Sequence, residues 1–118
     1  MEGKILIVDD AAFMRMMIKD TLKNSGYENI IEAADGEQAI QTYKAEKPDL
    51  VIMDITMPNK NGLEALKEIR KMDANVVMCS AMGQESMVVE AIRNGAKDFI
   101  VKPFKSERII KTVQGIID

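Results

Sequence analysis

Ile5-Leu6-Ile7-Val8-Asp9-Asp10 is an unbroken apolar run closed by two carboxylates, and Leu50-Val51-Ile52-Met53-Asp54 repeats the arrangement later in the chain. Runs of four or five apolar residues without alternation suit strands covered on both faces, as in a parallel sheet. Three further runs complete the set. Strands are expected near Lys4 to Val8, Ile30 to Ala33, Leu50 to Met53, Val76 to Cys79 and Phe99 to Val101. Ile30-Ile31-Glu32 is shorter and more polar than the others, which places it at an edge.

Amphipathic segments separate these runs. Met14, Met17, Ile18, Thr21 and Leu22 recur at helical spacing, and Gly26 then offers a left-handed stop. Asp35 followed by Gln38 reads as a capping box opening a helix that turns Ile40 and Tyr43 inward. Leu63, Leu66 and Ile69 mark a third helix; Val88, Ala91 and Ile92 mark a fourth, ending at Gly95; Ile109, Ile110, Val113, Ile116 and Ile117 form the last stripe. Strand and helix alternating throughout define an α/β protein. Right-handed crossovers with helices on both faces leave an open, doubly wound, flavodoxin-like sheet of five parallel strands in the order 2-1-3-4-5 as the natural arrangement. No repeat, linker or low-complexity stretch interrupts it, and one domain over residues 1–118 is expected.

In that order the first and third strands are neighbours, so Asp9, Asp10 and Asp54 face one crevice beyond the carboxyl ends. Two unit charges ~4 Å apart at an effective dielectric of ~20 repel by roughly 4 kcal/mol, so the cluster should recruit a cation, hold a proton or drift apart. All-oxygen ligation favours magnesium over softer metals. Lys102, after the fifth strand, and Ser80, after the fourth, border the same crevice. Carboxylates, a hard cation, an ammonium and a hydroxyl together suggest phosphate chemistry. Each member alone has a duller reading: Asp10 as a helix cap, Lys102 as a solvated surface charge. Asp54 is harder to dismiss, because a charge ending a wholly apolar strand is costly to bury unpaired.

Composition narrows the function further. The 118 residues carry a net charge of -3 with Lys and Arg scattered, so the basic footprint of a nucleic-acid binder is missing. Histidine is absent, which excludes Ser-His-Asp catalysis, histidine-ligated zinc and a phosphohistidine on this chain. The single Cys79 sits in an apolar run as a small core thiol. No signal-peptide pattern or membrane-length apolar stretch is present, so a cytoplasmic protein without membrane insertion is expected. Of ten methionines, Met14, Met17, Met53 and Met78 are expected to fill the core, leaving Met82 and Met87 as interface candidates.

Ile7-Val8-Asp9-Asp10, Met53-Asp54-Ile55-Thr56-Met57-Pro58, Cys79-Ser80-Ala81 and Lys102-Pro103-Phe104 closely resemble the receiver domain of two-component response regulators, over the whole chain. The runs Asp9-Asp10-Ala11-Ala12-Phe13-Met14-Arg15 and Cys79-Ser80-Ala81-Met82-Gly83-Gln84 are similar to those of its chemotaxis branch. That family has the 2-1-3-4-5 order, so the topology above is not an independent expectation. The resemblance implies that Asp54 accepts a phosphoryl group from a phosphohistidine of a histidine kinase. It implies Mg²⁺ held by Asp10, Asp54 and the backbone carbonyl of Thr56, with Asp9 acting mainly through water. Lys102 would bind a phosphoryl oxygen. Ser80 and Phe99 would be the switch pair, Phe99 standing where many chemotaxis regulators carry Tyr. A cis Lys102-Pro103 peptide is implied as well. The output surface would include Glu85, Val89, Arg93, Phe99 and Lys105 and would meet the flagellar motor switch, with a phosphatase as a further partner and a monomer as the resting state. Thr56 is expected to tune the lifetime of the phosphoryl group.

Two other functions share parts of this pattern. A Mg²⁺-dependent phosphohydrolase of the haloacid-dehalogenase type usually needs an acid two residues after its nucleophile, where Thr56 stands, and a flavodoxin would place a flavin phosphate where Asp9 and Asp10 repel it. A single-domain phosphorelay receiver remains the nearest alternative.

Overall fold

The computed structural model describes residues 3–117. Five parallel strands, β1 (Lys4–Val8), β2 (Asn29–Ala33), β3 (Leu50–Asp54), β4 (Val76–Ser80) and β5 (Asp98–Val101), alternate with α1 (Ala12–Asn24), α2 (Gly36–Glu46), α3 (Gly62–Arg70), α4 (Glu85–Arg93) and α5 (Ser106–Ile117). The sheet order is β2-β1-β3-β4-β5, as expected. Asn29–Ala33 is an edge strand, which accounts for its polar composition.

The period-two geometry of a strand divides each apolar run between two cores. Leu6, Val8, Val51, Met53, Val76 and Met78 meet Ala39, Ile40, Tyr43, Ala65, Leu66, Ile69 and Ala91, so α2, α3 and α4 cover one face. Ile5, Ile7, Leu50, Ile52, Val77, Cys79 and Ile100 meet Ile18, Leu22, Ile109 and Val113, so α1 and α5 cover the other. Each fully buried aliphatic side chain contributes about 1.5–3 kcal/mol relative to exposure. This is why the strands show no alternation in sequence: both sets of side chains have a core to enter.

Several local expectations need correction. Met17 and Ile92 lie on helical stripes but are 39% and 44% exposed, at the margins of the buried faces of α1 and α4. Of the two interface candidates, Met87 packs against the core, whereas Met82 is exposed. Asp35 caps α2 by accepting from Gln38 N at 2.8 Å, but the Gln38 side chain reaches Ala34 N, one residue before the cap. The reciprocal capping box belongs to α3, between Asn61 and Glu64. Gly26 and Gly95 adopt the left-handed conformation after α1 and α4.

Candidate functional site

The register Val8↔Met53 carries β1 and β3 to the same edge, where Asp9 follows one and Asp54 ends the other. Asp54 is in turn opposite Cys79 of β4, and Lys102 follows β5 with its N–H donating to Ser80 O at 2.7 Å. Lys102 Nζ lies 3.0 Å from Asp9 Oδ2 and 3.3 Å from Asp54 Oδ2. Asp9 is buried, Asp54 is partly buried, and Asp10 faces solvent. One carboxylate oxygen from each of the three lies within 4.8 Å of the others, a spacing that fits a shared hard cation. The crevice therefore combines oxygen ligands with a lysine already hydrogen-bonded into it.

Asp54 is pushed towards its protonated form by burial first and by Asp9, against the opposing pull of Lys102 and a hydrogen bond from the Thr56 backbone. For Lys102, burial disfavours the charge, yet the hydrogen bond to Asp9 and the charges of Asp54 and Asp9 outweigh it and raise the pKa. Lys102 is thus held as an ammonium, and its charge favours the ionised Asp54 carboxylate. Burial pushes the Cys79 thiol up to about 12, so it behaves as an uncharged core group.

The surrounding backbone is fixed by specific contacts. Asp9, not Asp10, takes the N–H of Ala11, at 2.9 Å, and Arg15 Nη1 donates to the Asp9 carbonyl at 2.6 Å. Asn59 Nδ2 donates to Asp35 Oδ2 at 2.8 Å, joining the segment after β3 to the cap of α2. Gly62 lets α3 approach the end of β3: a Cβ there would meet Asp54 O at 2.2 Å and Ile55 Cα at 2.8 Å. Thr56 is exposed, and its hydroxyl accepts from Gln84 Nε2 at 2.8 Å. Sequence reasoning assigned no role to Arg15, Asn59, Gly62 or Gln84, because their partners are distant along the chain or are backbone atoms.

Ser80, 1% exposed, connects this crevice to a second feature. With Phe99, Glu85, Val89 and Arg93 it lines a groove of about 560 Å³ between α4 and β5, which also includes the exposed Met82, Ile92 and Val101. Phe99 is half-buried against the core. Lys105, expected on the same surface, is exposed but is not among the groove's lining residues. Lys102-Pro103 is cis.

A fold of this topology with an acidic, lysine-bearing crevice at the switch point matches the response regulator receiver domain over residues 5–114, and the chain belongs to that family. Within it, the similarity is to chemotaxis regulators: 59% identity over 115 residues to the chemotaxis protein CheY of Bacillus subtilis, covering 96% of each chain. Identity to CheY of Thermotoga maritima is 55% over 118 residues, covering 98% of each. The crystal structure of the receiver domain of NtrX from Brucella abortus shares the fold with a TM-score of 0.91 and 36% identity, covering 97% of this chain and 98% of that one.

Proposed function

We propose that this chain, as a single receiver unit over residues 1–118, is a phosphorylation-activated chemotaxis switch whose acceptor is Asp54. The observation that carries this reading is the placement of Lys102 Nζ against both Asp9 and Asp54, beside a third carboxylate on Asp10. An Asp54 oxygen attacks the phosphorus of a kinase phosphohistidine. The new O–P bond forms as the N–P bond breaks, and the electron pair returns to the imidazole. Lys102 binds a phosphoryl oxygen and offsets the charge gathering on the transferred group. Asp9, Asp10, Asp54 and the Thr56 carbonyl are the residues to hold Mg²⁺, which when bound supplies charge neutralisation for the crowded carboxylates and the phosphoryl oxygens. Ser80 then hydrogen-bonds the phosphate while Phe99 turns inward, which remodels the α4–β5 groove. A partner that prefers the remodelled groove selects the phosphorylated state.

The groove partner in this reading is the flagellar motor switch, reached in the cytoplasm by a monomer, with a phosphatase assisting reset. No helix among the described residues is long and apolar enough to cross a membrane. The chain catalyses only its own phosphorylation and dephosphorylation; Thr56, engaged by Gln84, offers no carboxyl acid for turnover of a separate phosphate ester. The test is incubation with a small acyl phosphate, with and without Mg²⁺, followed by intact mass. A Mg²⁺-dependent gain of one phosphoryl group in the native chain, absent in Asp54→Asn, is expected; equal gain in both proteins would overturn the assignment.

A further inference from the structure

Gln84 occupies the N-cap position of α4 yet makes no side-chain cap. Its amide is used elsewhere: Oε1 accepts from the backbone N–H of Ala81 at 2.6 Å, and Nε2 donates to Thr56 Oγ1 at 2.8 Å. The orientation is fixed by chemistry, since a backbone N–H can only donate and must therefore face the amide oxygen. One half-buried side chain thus ties the residue after Ser80 to the residue two beyond Asp54. The tie reaches the site at both ends. The Thr56 backbone hydrogen-bonds the Asp54 carboxylate, and Ala81 N belongs to the peptide whose carbonyl is that of Ser80.

We infer that Gln84 is a positioning residue that latches the 81–84 loop to the 55–57 segment in the unphosphorylated arrangement, so that activation requires the latch to open. This inference rests on the reading of Asp54 as acceptor and Ser80 as the group drawn towards it. Movement of Ser80 carries the adjoining peptide and pulls Ala81 N away from Gln84 Oε1. A phosphoryl group also brings three strong acceptor oxygens into competition for nearby donors. Because the latch bonds are complete in the resting state, they bias the two-state equilibrium against the phosphorylated form. A net hydrogen bond shifts such an equilibrium by roughly two- to tenfold.

The test titrates beryllofluoride, a non-hydrolysable stand-in for the phosphoryl group, with Mg²⁺ into the full chain by calorimetry, and compares the native protein with Gln84→Ala, Thr56→Val and the double variant. Gln84→Ala is expected to bind about three- to tenfold tighter and to exchange the Ala81 amide proton faster. Thr56→Val, which removes one bond at an exposed position, should bind tighter by a smaller factor, and the double variant should match Gln84→Ala. Should Gln84→Ala not fold, Thr56→Val alone carries the test, and unchanged or weaker binding there overturns the latch. Unchanged or weaker binding in a folded Gln84→Ala, or independent effects that multiply in the double variant, also overturn it. Binding by the native chain that is lost in Asp54→Asn supports the acceptor reading separately; a native chain that takes up no beryllofluoride overturns that reading and the latch with it.

Discussion

Burial and the neighbouring Asp9 both oppose ionisation of Asp54, and Lys102 compensates only in part, since the pKa remains raised. A carboxyl whose folded-state pKa lies above its unfolded value favours the folded state fully below the unfolded pKa, and that contribution is lost as pH rises through the folded pKa. Ionised Asp54 is therefore a stability cost at neutral pH. Asp54→Asn should be more stable than the native chain at pH 7 in metal-free buffer, because it removes a partly compensated charge. Urea unfolding across a pH series should show the difference shrinking as the pH falls into the ordinary carboxylate range. Equal stability at pH 7 would mean that Lys102 compensates Asp54 completely. Asp9 and Asp54 were legible in the sequence because carboxylates that end apolar strands demand a partner. Gln84 was not, since it meets Thr56 across 28 residues through two side chains that carry no sign of their pairing.

At the scale of elements, β3 and α3 are held together by a lack of side-chain volume. Gly62 N donates to Ile55 O at 2.7 Å, and the space for a Cβ is already filled by backbone. Backbone cannot yield as a flexible side chain can, so Gly62→Ala should destabilise by about 2 kcal/mol or more and slow phosphorylation by a small acyl phosphate, both measurable on one preparation. Asn61→Ala, which removes the cap of the same helix, should cost about 1 kcal/mol in urea unfolding and leave the acceptor reactive. The strands could be read from their apolar runs almost to the residue. Helix faces were less legible: Met17 and Ile92 share the helical spacing of buried neighbours, and periodicity alone does not tell how wide a buried stripe is. The spacing of Asp35 and Gln38 identifies the cap itself, but the Gln38 side chain accepts from the backbone N–H of Ala34, which spacing alone does not distinguish from that of Asp35.

For the molecule as a whole, the sheet order decides everything that follows, because it alone brings residues 9, 54, 80 and 102 to one edge. That order was legible from βα alternation and the family likeness together, while the groove between α4 and β5 depended on which of their side chains remain uncovered. Two consequences belong to this scale. A cation bound only by the folded chain stabilises it by mass action, so Mg²⁺ should raise the melting temperature of the native protein and raise that of Asp54→Asn far less. Val89 is 51% exposed in the groove and is not among the groups that meet Lys102 in the crevice, so Val89→Asp should still gain a phosphoryl group from acyl phosphate. If the groove meets the motor-switch protein as proposed, the same variant should weaken that binding about tenfold or more, as loss of an apolar anchor does. The most direct test of the whole account is to treat the protein with acyl phosphate and Mg²⁺, reduce it with borohydride, and sequence its peptides by mass spectrometry. An acyl phosphate on Asp54 is reduced to the alcohol, so the account predicts homoserine at position 54 and nowhere else; homoserine at another aspartate, or at none in a protein that had gained the phosphoryl mass, would contradict it.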